Sequence, residues 1–193
     1  MAFVREGNTE RGFTLIELMV VVAIVAILAI VVVPNFMRET TKAKRKSEVS
    51  AMFAEIAAKQ EAFKMERSFY MGNTGGTNYV GTTACPATVP TADYVFATSC
   101  AVTSSAWLMM RVIAPSQSLR CQYTITTNVA GTSFTPPTGF KNSQGVLNAA
   151  EPAIANGWYQ LKAECDERGN GGTNATYFQS SIDRKLQWIN EGT

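Results

Sequence analysis

The sequence predicts an α+β fold, in which a long, kinked N-terminal helix packs on a small antiparallel C-terminal β-sheet. Three observations lead to this prediction. An unbroken apolar run lies near the N-terminus, a stripe of apolar residues with helical spacing follows it, and the second half contains short β-type stretches separated by turn residues.

The apolar run extends from Phe13 to Val33, and its only polar members are Thr14 and Glu17. A helix of this length measures about 30 Å, which matches the hydrocarbon core of a bilayer. Its many Val and Ile residues form helix poorly in water, but in lipid the backbone must satisfy its own hydrogen bonds. We therefore expect a membrane-spanning helix over residues 13–34.

The helical pattern continues beyond the apolar run. Pro34 removes one backbone hydrogen bond and is expected to kink the helix. The next apolar residues nevertheless recur on one helical face, and these are Val49, Met52, Phe53, Ile56 and Phe63. One helix is therefore predicted from about residue 14 to about residue 67, and its second half needs a packing partner.

The C-terminal half has the composition of a small sheet protein. Residues 71–105 are rich in Gly, Thr, Ser, Ala and Pro, which indicates a loop with at most a short strand or a turn of helix. Four strand-type stretches follow, at 107–114, 120–129, 158–165 and 176–183, with turn residues between them. This spacing favours an antiparallel meander, one face of which can bury the helical stripe.

Composition argues against several function classes. The net charge is +2, with 17 basic and 15 acidic residues, so nucleic acid is not indicated as a partner. The chain has no histidine, and it shows no nucleotide-binding glycine motif, nucleophile arrangement or paired carboxylates. We expect neither enzymatic activity nor a cofactor.

Four cysteines lie downstream of the apolar run, at Cys85, Cys100, Cys121 and Cys165. Their even number and wide spacing suggest disulfides in an oxidising compartment, whereas four buried free thiols are the alternative. Three pairings are possible. We favour Cys121 with Cys165, which flank strands that can be neighbours, and Cys85 with Cys100, while a Cys100–Cys121 bond would contradict this choice.

The segment GFTLIEL and the apolar run to Pro34 resemble the class III signal of type IV prepilins, over about residues 11–36. The resemblance implies that a membrane-embedded prepilin peptidase cuts between Gly12 and Phe13, that Phe13 is then N-methylated, and that the apolar segment is retained. The chain is then organised as a leader (1–12), a transmembrane and filament-core helix (13–34), an amphipathic continuation (35–70) and a globular head (71–193).

Glu17 is a carboxylate in a segment otherwise suited to lipid, where it costs about 2.5–3.5 kcal/mol on insertion scales. It therefore needs a partner, and the α-amino group of a cleaved Phe13 is the one expected. The pair could form within one subunit or between parallel neighbours, where it would set the axial register. The alternative is that Glu17 lies at the membrane edge and reaches the interface.

Two features depart from the family pattern. Ala26 occupies the place where many members have a helix-breaking glycine or proline, so melting of the helix in a filament is not implied here. A basic cluster also follows the span, at Arg38, Lys42, Lys44, Arg45 and Lys46. Charge counting alone would place the head in the cytoplasm. The cluster suits anionic lipid, acidic neighbours or a solvated face.

The family resemblance implies a pilin or minor pilin of a type IV pilus, serving adhesion, twitching motility or DNA uptake. Its partners would be copies of itself, other pilins, the prepilin peptidase, a platform protein and an assembly ATPase. It would begin in the inner membrane with a cytoplasmic N-terminus and a periplasmic head, and end in an extracellular fibre. The alternatives are a type II secretion pseudopilin and a membrane-anchored periplasmic binding module.

Two further features of the head remain open. The loop at 166–172 offers Asp166, Glu167 and Asn170 as possible calcium ligands, but it lacks EF-hand spacing, and a glycine-rich turn is the favoured interpretation. Aromatic residues are expected in the core or at a subunit interface rather than in a ligand platform. These are Trp107, Trp158, Tyr159, Tyr177, Phe178 and Trp188.

Overall fold

The structure, a computed structural model, describes residues 12–72, 79–101, 105–134, 151–153, 157–166 and 174–190. The helices are α1 (Leu15–Arg67), α2 (Phe96–Ser99) and α3 (Ala106–Met109). The strands are β1 (Gly81–Cys85), β2 (Cys121–Asn128), β3 (Ser133–Phe134), β4 (Glu151–Ala153), β5 (Trp158–Cys165), β6 (Ala175–Ser180) and β7 (Gln187–Ile189). The predicted α+β fold class is confirmed.

The chain divides into two compact units, with the boundary between Thr40 and Thr41. Within the first unit, α1 is apolar all round from Leu18 to Val33. Each large apolar side chain from Phe13 to Met37 is exposed, from 52% at Val33 to 82% at Phe13. Among the described helices, α1 alone is long and apolar enough to cross a membrane.

Pro34 lies inside α1, so the prediction of one long helix is confirmed. Beside it, Asn35 Nδ2 donates a hydrogen bond to Val31 O at 3.2 Å, and this side chain supplies a donor in the turn where proline lacks one. The kink at Pro34 stays a prediction.

The second unit is built on a five-stranded antiparallel sheet in the order β1-β2-β5-β6-β7. The central pair runs from Cys121 opposite Cys165 to Asn128 opposite Trp158. Strands β2, β5, β6 and β7 follow one another across the sheet, which confirms the predicted meander. Strands β3 and β4 form a separate two-stranded pair.

The core lies between α1 and one face of this sheet. All five residues of the predicted stripe are buried, and the Phe53 ring meets the Tyr123 ring edge-on at 6.4 Å. The opposite sheet face carries a smaller cluster, in which Phe134 lies 5.1 Å from Trp158 and 6.3 Å from Phe178, measured between ring centroids. Apolar clusters therefore lie on both faces of the sheet within the described residues, and the one facing α1 is the larger.

The predicted strand at 107–114 is wrong. Its first half belongs to α3, where the Ser105 hydroxyl caps the helix by accepting a hydrogen bond from Leu108 N at 3.1 Å. Arg111 then has a positive φ of 54°, which ends the helical turn. The run WLMM lacks the alternation of a half-buried strand, and a short apolar run by itself does not separate helix from strand.

The remaining strands differ from the prediction mainly at their ends. Residues 158–165 match β5, the stretch 120–129 narrows to β2, and the stretch 176–183 becomes β6, which ends at Ser180. There the Ser180 hydroxyl accepts hydrogen bonds from Asp183 N at 2.9 Å and Ile182 N at 3.3 Å, and these bonds form a turn. Strands β1 and β7 at the two sheet edges were not predicted individually.

The disulfides join Cys85 with Cys100 and Cys121 with Cys165, which is the pairing favoured from the sequence. Cys121 and Cys165 are directly opposite each other in β2 and β5. The bond therefore links two central strands at one end of the sheet.

Candidate functional site

The N-terminal end of α1 is closed by a reciprocal pair of side-chain contacts. Glu17 Oε2 accepts hydrogen bonds from Thr14 N at 2.9 Å and from Thr14 Oγ1 at 2.8 Å. In return, Glu17 N donates to Thr14 Oγ1 at 3.3 Å. Because α1 begins at Leu15, Thr14 is the N-cap residue and Glu17 is the third residue of the helix, which is the arrangement of a capping box.

Thr14 was not predicted to have a role. The signal was present, since Thr-x-x-Glu directly before an apolar run is the pattern of a helix start. The structure thus gives Glu17 a partner within its own chain, besides the α-amino group expected from the family resemblance. Glu17 Oε1 accepts no hydrogen bond from any residue that the structure describes, so one oxygen remains available to a second donor.

Gly12 and Phe13 lie directly before this capping box, and both are exposed. A Cβ placed on Gly12 would meet no atom within 4 Å. Packing among the described residues therefore gives no reason for glycine at this position. The geometry agrees with a requirement for glycine from another protein, such as a protease whose site admits no side chain at this position.

The basic residues that follow the span differ in their contacts and in their exposure. Arg45 Nη1 lies 3.3 Å from Glu48 Oε2, and Lys46 Nζ lies 3.6 Å from the centroid of the Trp188 ring. These two cations therefore have partners within the second unit. Arg38 and Lys44 are exposed. Two of the five basic side chains are thus engaged within the second unit, which the sequence did not indicate.

The described residues do not test the possible calcium ligands of the loop at 166–172. Asp166 is buried, with 2% of its surface exposed, whereas Glu167 and Asn170 lie outside the described residues. Within the part of the chain that the structure describes, no group of three acidic, histidine or cysteine side chains could hold a metal ion.

The aromatic residues of the head lie mostly in the interior. Trp107, Tyr159, Tyr177 and Phe178 are at most 2% exposed and Trp158 is 6% exposed, while Trp188 is partly buried beneath Lys46. Their assignment to the core therefore agrees with the structure. Burial, and secondarily the Glu61 carboxylate, raises the pKa of Tyr159 to about 12.

Comparisons with known proteins show what the N-terminal part of the chain is similar to. Residues 7–33 match the prokaryotic N-terminal methylation motif, which covers the capping box and the apolar run. Together with the relatives described next, this match confirms the resemblance to type IV pilins and pseudopilins inferred from GFTLIEL.

The particular relatives are pilus and secretion-system components. The chain is 35% identical over 82 residues to the "Type IV wide pilus major component PilA4" of Thermus thermophilus, which covers 42% of this chain and 62% of that protein. It is 43% identical over 63 residues to "Type II secretion system core protein G" of Klebsiella michiganensis, covering 33% and 44% of the two chains. It is also 43% identical over 66 residues to "Type IV major pilin protein PilA" of Myxococcus xanthus, covering 34% and 30%.

The chain thus spans less than two thirds of the length of each of these relatives. No solved structure is a significant match to this one.

Proposed function

We propose that this protein is a structural subunit of a type IV pilus, either a major or a minor pilin. The single observation that carries the proposal is the exposed apolar half of α1, headed by a capped Glu17 within a methylation motif. Exposed apolar surface on this scale needs a lipid or protein partner. A filament core supplies such a partner once the subunit leaves the membrane, and two of the named relatives are pilus components.

The proposed maturation begins in the inner membrane, with the N-terminus in the cytoplasm and the head in the periplasm. Prepilin peptidase cuts between Gly12 and Phe13, and Phe13 is then methylated. Two disulfides in the head support this orientation, because disulfides persist in oxidising compartments. The residues before Gly12, which would form the leader, lie outside the described residues.

In assembly, a platform protein and a partner ATPase would add subunits to an extracellular fibre. The α-amino group of Phe13 on one subunit would meet Glu17 of its neighbour, and this contact would set the axial register between otherwise aliphatic helices. Glu17 Oε1 accepts no hydrogen bond from the residues that the structure describes, which supports the proposal, because the cap and the neighbour can then share one carboxylate.

The second candidate is a pseudopilin of a type II secretion system, which is favoured by the similarity to core protein G. Both candidates would be processed by the peptidase and would assemble through the N-terminal helix, but they differ in the location of the filament that they form. A pilin is recovered in fibres sheared from the cell surface, whereas a pseudopilin stays with the envelope at ordinary expression levels.

The test of the proposal is the intact mass of the mature protein, measured together with a shearing assay. The expected mass corresponds to a chain that begins at Phe13 and carries one added methyl group, and the protein is expected in the sheared fraction. A mass that corresponds to an intact N-terminus at Met1 would contradict processing and would favour a plain membrane-anchored binding module.

A further inference from the structure

One carboxylate of α1 holds the first residues of β2. Glu48 Oε1 accepts hydrogen bonds from Arg120 N at 2.9 Å, Cys121 N at 3.2 Å and Tyr123 Oη at 2.9 Å. The Glu48 side chain is only 11% exposed, and Arg45 balances its charge. Charge-assisted hydrogen bonds of this kind are among the stronger ones in proteins.

The backbone of Cys121 is also held on its carbonyl side. Tyr94 Oη donates a hydrogen bond to Cys121 O at 2.8 Å. Tyr94 is itself fixed, because its backbone exchanges two 2.9 Å hydrogen bonds with that of Leu119. The N–H and the carbonyl of Cys121 are thus both bound by side chains that lie far away in the sequence.

Cys121 has two alternative disulfide partners on the strands that flank β2. Cys121 faces Cys165 at the end of the β2–β5 ladder, with a Cα–Cα distance of 4.3 Å. On the other side of β2, Cys85 is opposite Tyr123, two residues along from Cys121 and on the same sheet face. A slip of two residues between β1 and β2 would keep every side chain on its face and bring Cys85 opposite Cys121.

We propose that Glu48 is a positioning residue for oxidation of the head, which fixes Cys121 to α1 before its disulfide closes. Because Glu48 and Tyr94 occupy the N–H and the carbonyl of Cys121, a slipped β1 has no backbone groups of Cys121 to pair with. Cys165 is then the thiol that meets Cys121, and Cys85 is left to pair with Cys100. The helix therefore selects one of the three possible pairings. The inference concerns folding of the head and does not depend on filament assembly.

The chemistry is thiol–disulfide exchange with a small disulfide oxidant such as oxidised glutathione. One cysteine thiolate attacks the oxidant and releases one glutathione thiolate, which leaves a mixed disulfide. The second cysteine thiolate then attacks the protein sulfur of that mixed disulfide and releases the second glutathione thiolate. The two protein thiols lose two protons and two electrons, and the oxidant is reduced to two molecules of glutathione.

The test follows the two disulfides separately in the full chain. Reduced, denatured protein is returned to folding conditions in detergent with a glutathione buffer, quenched with an alkylating agent over time, and mapped by non-reducing peptide mass spectrometry. Glu48→Ala is expected to slow formation of Cys121–Cys165 about tenfold, as expected when several hydrogen bonds to one acceptor are lost. Cys85–Cys121 is expected to appear as a misplaced bond.

Glu55→Ala is the matched control. Glu55 also lies on α1 and accepts a hydrogen bond from a backbone N–H of the head, that of Ile113 at 3.2 Å, but Ile113 is not next to a cysteine. It should form both disulfides as the unchanged chain does. Glu48→Gln keeps an acceptor oxygen without the charge, and it should fall between the unchanged chain and Glu48→Ala. If Glu48→Ala forms Cys121–Cys165 at the rate of the Glu55 variant, or slows both disulfides by the same factor, the positioning role is wrong.

Discussion

Thr14 and Glu17 cap the first turn of α1 reciprocally, through Glu17 Oε2 at 2.8–2.9 Å from two donors of Thr14 and a 3.3 Å hydrogen bond in the other direction. The helix has four N–H groups at this end without an intrahelical partner. The capping box satisfies part of this need and orients the Glu17 carboxylate at the same time. Capping and the proposed assembly contact therefore involve the same side chain, and variants can separate the two.

Thr14→Val should weaken the first turn of α1, because valine has the shape of threonine without the hydroxyl. Loss of an N-cap typically costs about 1 kcal/mol. The expected result is faster amide hydrogen exchange at residues 16–18 in the detergent-solubilised chain. Thr14→Ser keeps the hydroxyl and should exchange like the unchanged protein, so equal exchange in both variants would show that the cap contributes nothing.

Glu17→Ala should abolish or strongly reduce sheared fibres while the leader is still removed. The physical reason is that the α-amino group of Phe13 loses its proposed partner in the neighbouring subunit. Thr14→Val is the comparison, because it removes the capping hydroxyl and leaves the carboxylate in place. Fibres at normal levels from Glu17→Ala would rule out the docking contact, and equal losses in both variants would assign the effect to capping.

Gln60→Leu should destabilise the second unit. Gln60 is fully buried on α1, and its amide accepts a hydrogen bond from Met71 N at 2.9 Å and donates one to Met71 O. Leucine would leave two buried backbone groups without partners, at a cost of about 1–3 kcal/mol each. Urea unfolding in detergent measures the loss. Gln117→Leu, the same change at an exposed position, should alter the unfolding free energy little.

Tyr159→Phe and Tyr123→Phe should have opposite consequences at neutral pH. Tyr159 Oη is buried and has no hydrogen-bond partner among the described residues, so its removal should be neutral or stabilising. Tyr123 Oη donates to Glu48, so Tyr123→Phe should cost about 1–3 kcal/mol. Thermal unfolding of the two variants side by side tests this contrast, and equal shifts would contradict it.

Tyr159 should also contribute to a loss of stability in alkali. Its folded pKa is raised from 10.0 to about 12, so the unfolded chain releases this proton first as the pH rises. Unfolding is then favoured increasingly between about pH 10 and pH 12, and the contribution is fully present below that window. Tyr159→Phe should reduce this fall in unfolding free energy. An unchanged pH profile would show that Tyr159 does not titrate abnormally.

Much of the architecture was predictable because it depends on local periodicity. The helix predicted from about residue 14 to about residue 67 was observed as Leu15–Arg67, and all five residues of its apolar stripe are buried. Strand β5 was predicted to the residue. Hydrophobic spacing of 3.6 or 2 residues can be read within one segment, whatever that segment packs against.

The segment around Trp107 was predicted wrongly because its structure depends on more than its own residues. Its apolar run fits either helix or strand, and the outcome depended on the Ser105 cap and on burial of Trp107 in the core. Strand β1 has few large apolar residues and forms a strand because β2 offers it an edge to pair with. Such preferences come from neighbours that are distant in the sequence.

The sequence by itself determined the long helix, its apolar and amphipathic halves, and the methylation motif with its capped Glu17, because these depend on residues within a few turns of one another. Only the tertiary structure decided that Glu48 meets Cys121 and that Gln60 meets Met71. A buried polar group needs a partner, but the sequence does not say which one. That choice is made when α1 docks on the sheet and brings groups as far as 123 residues apart within hydrogen-bonding distance, as for Arg184 and Glu61.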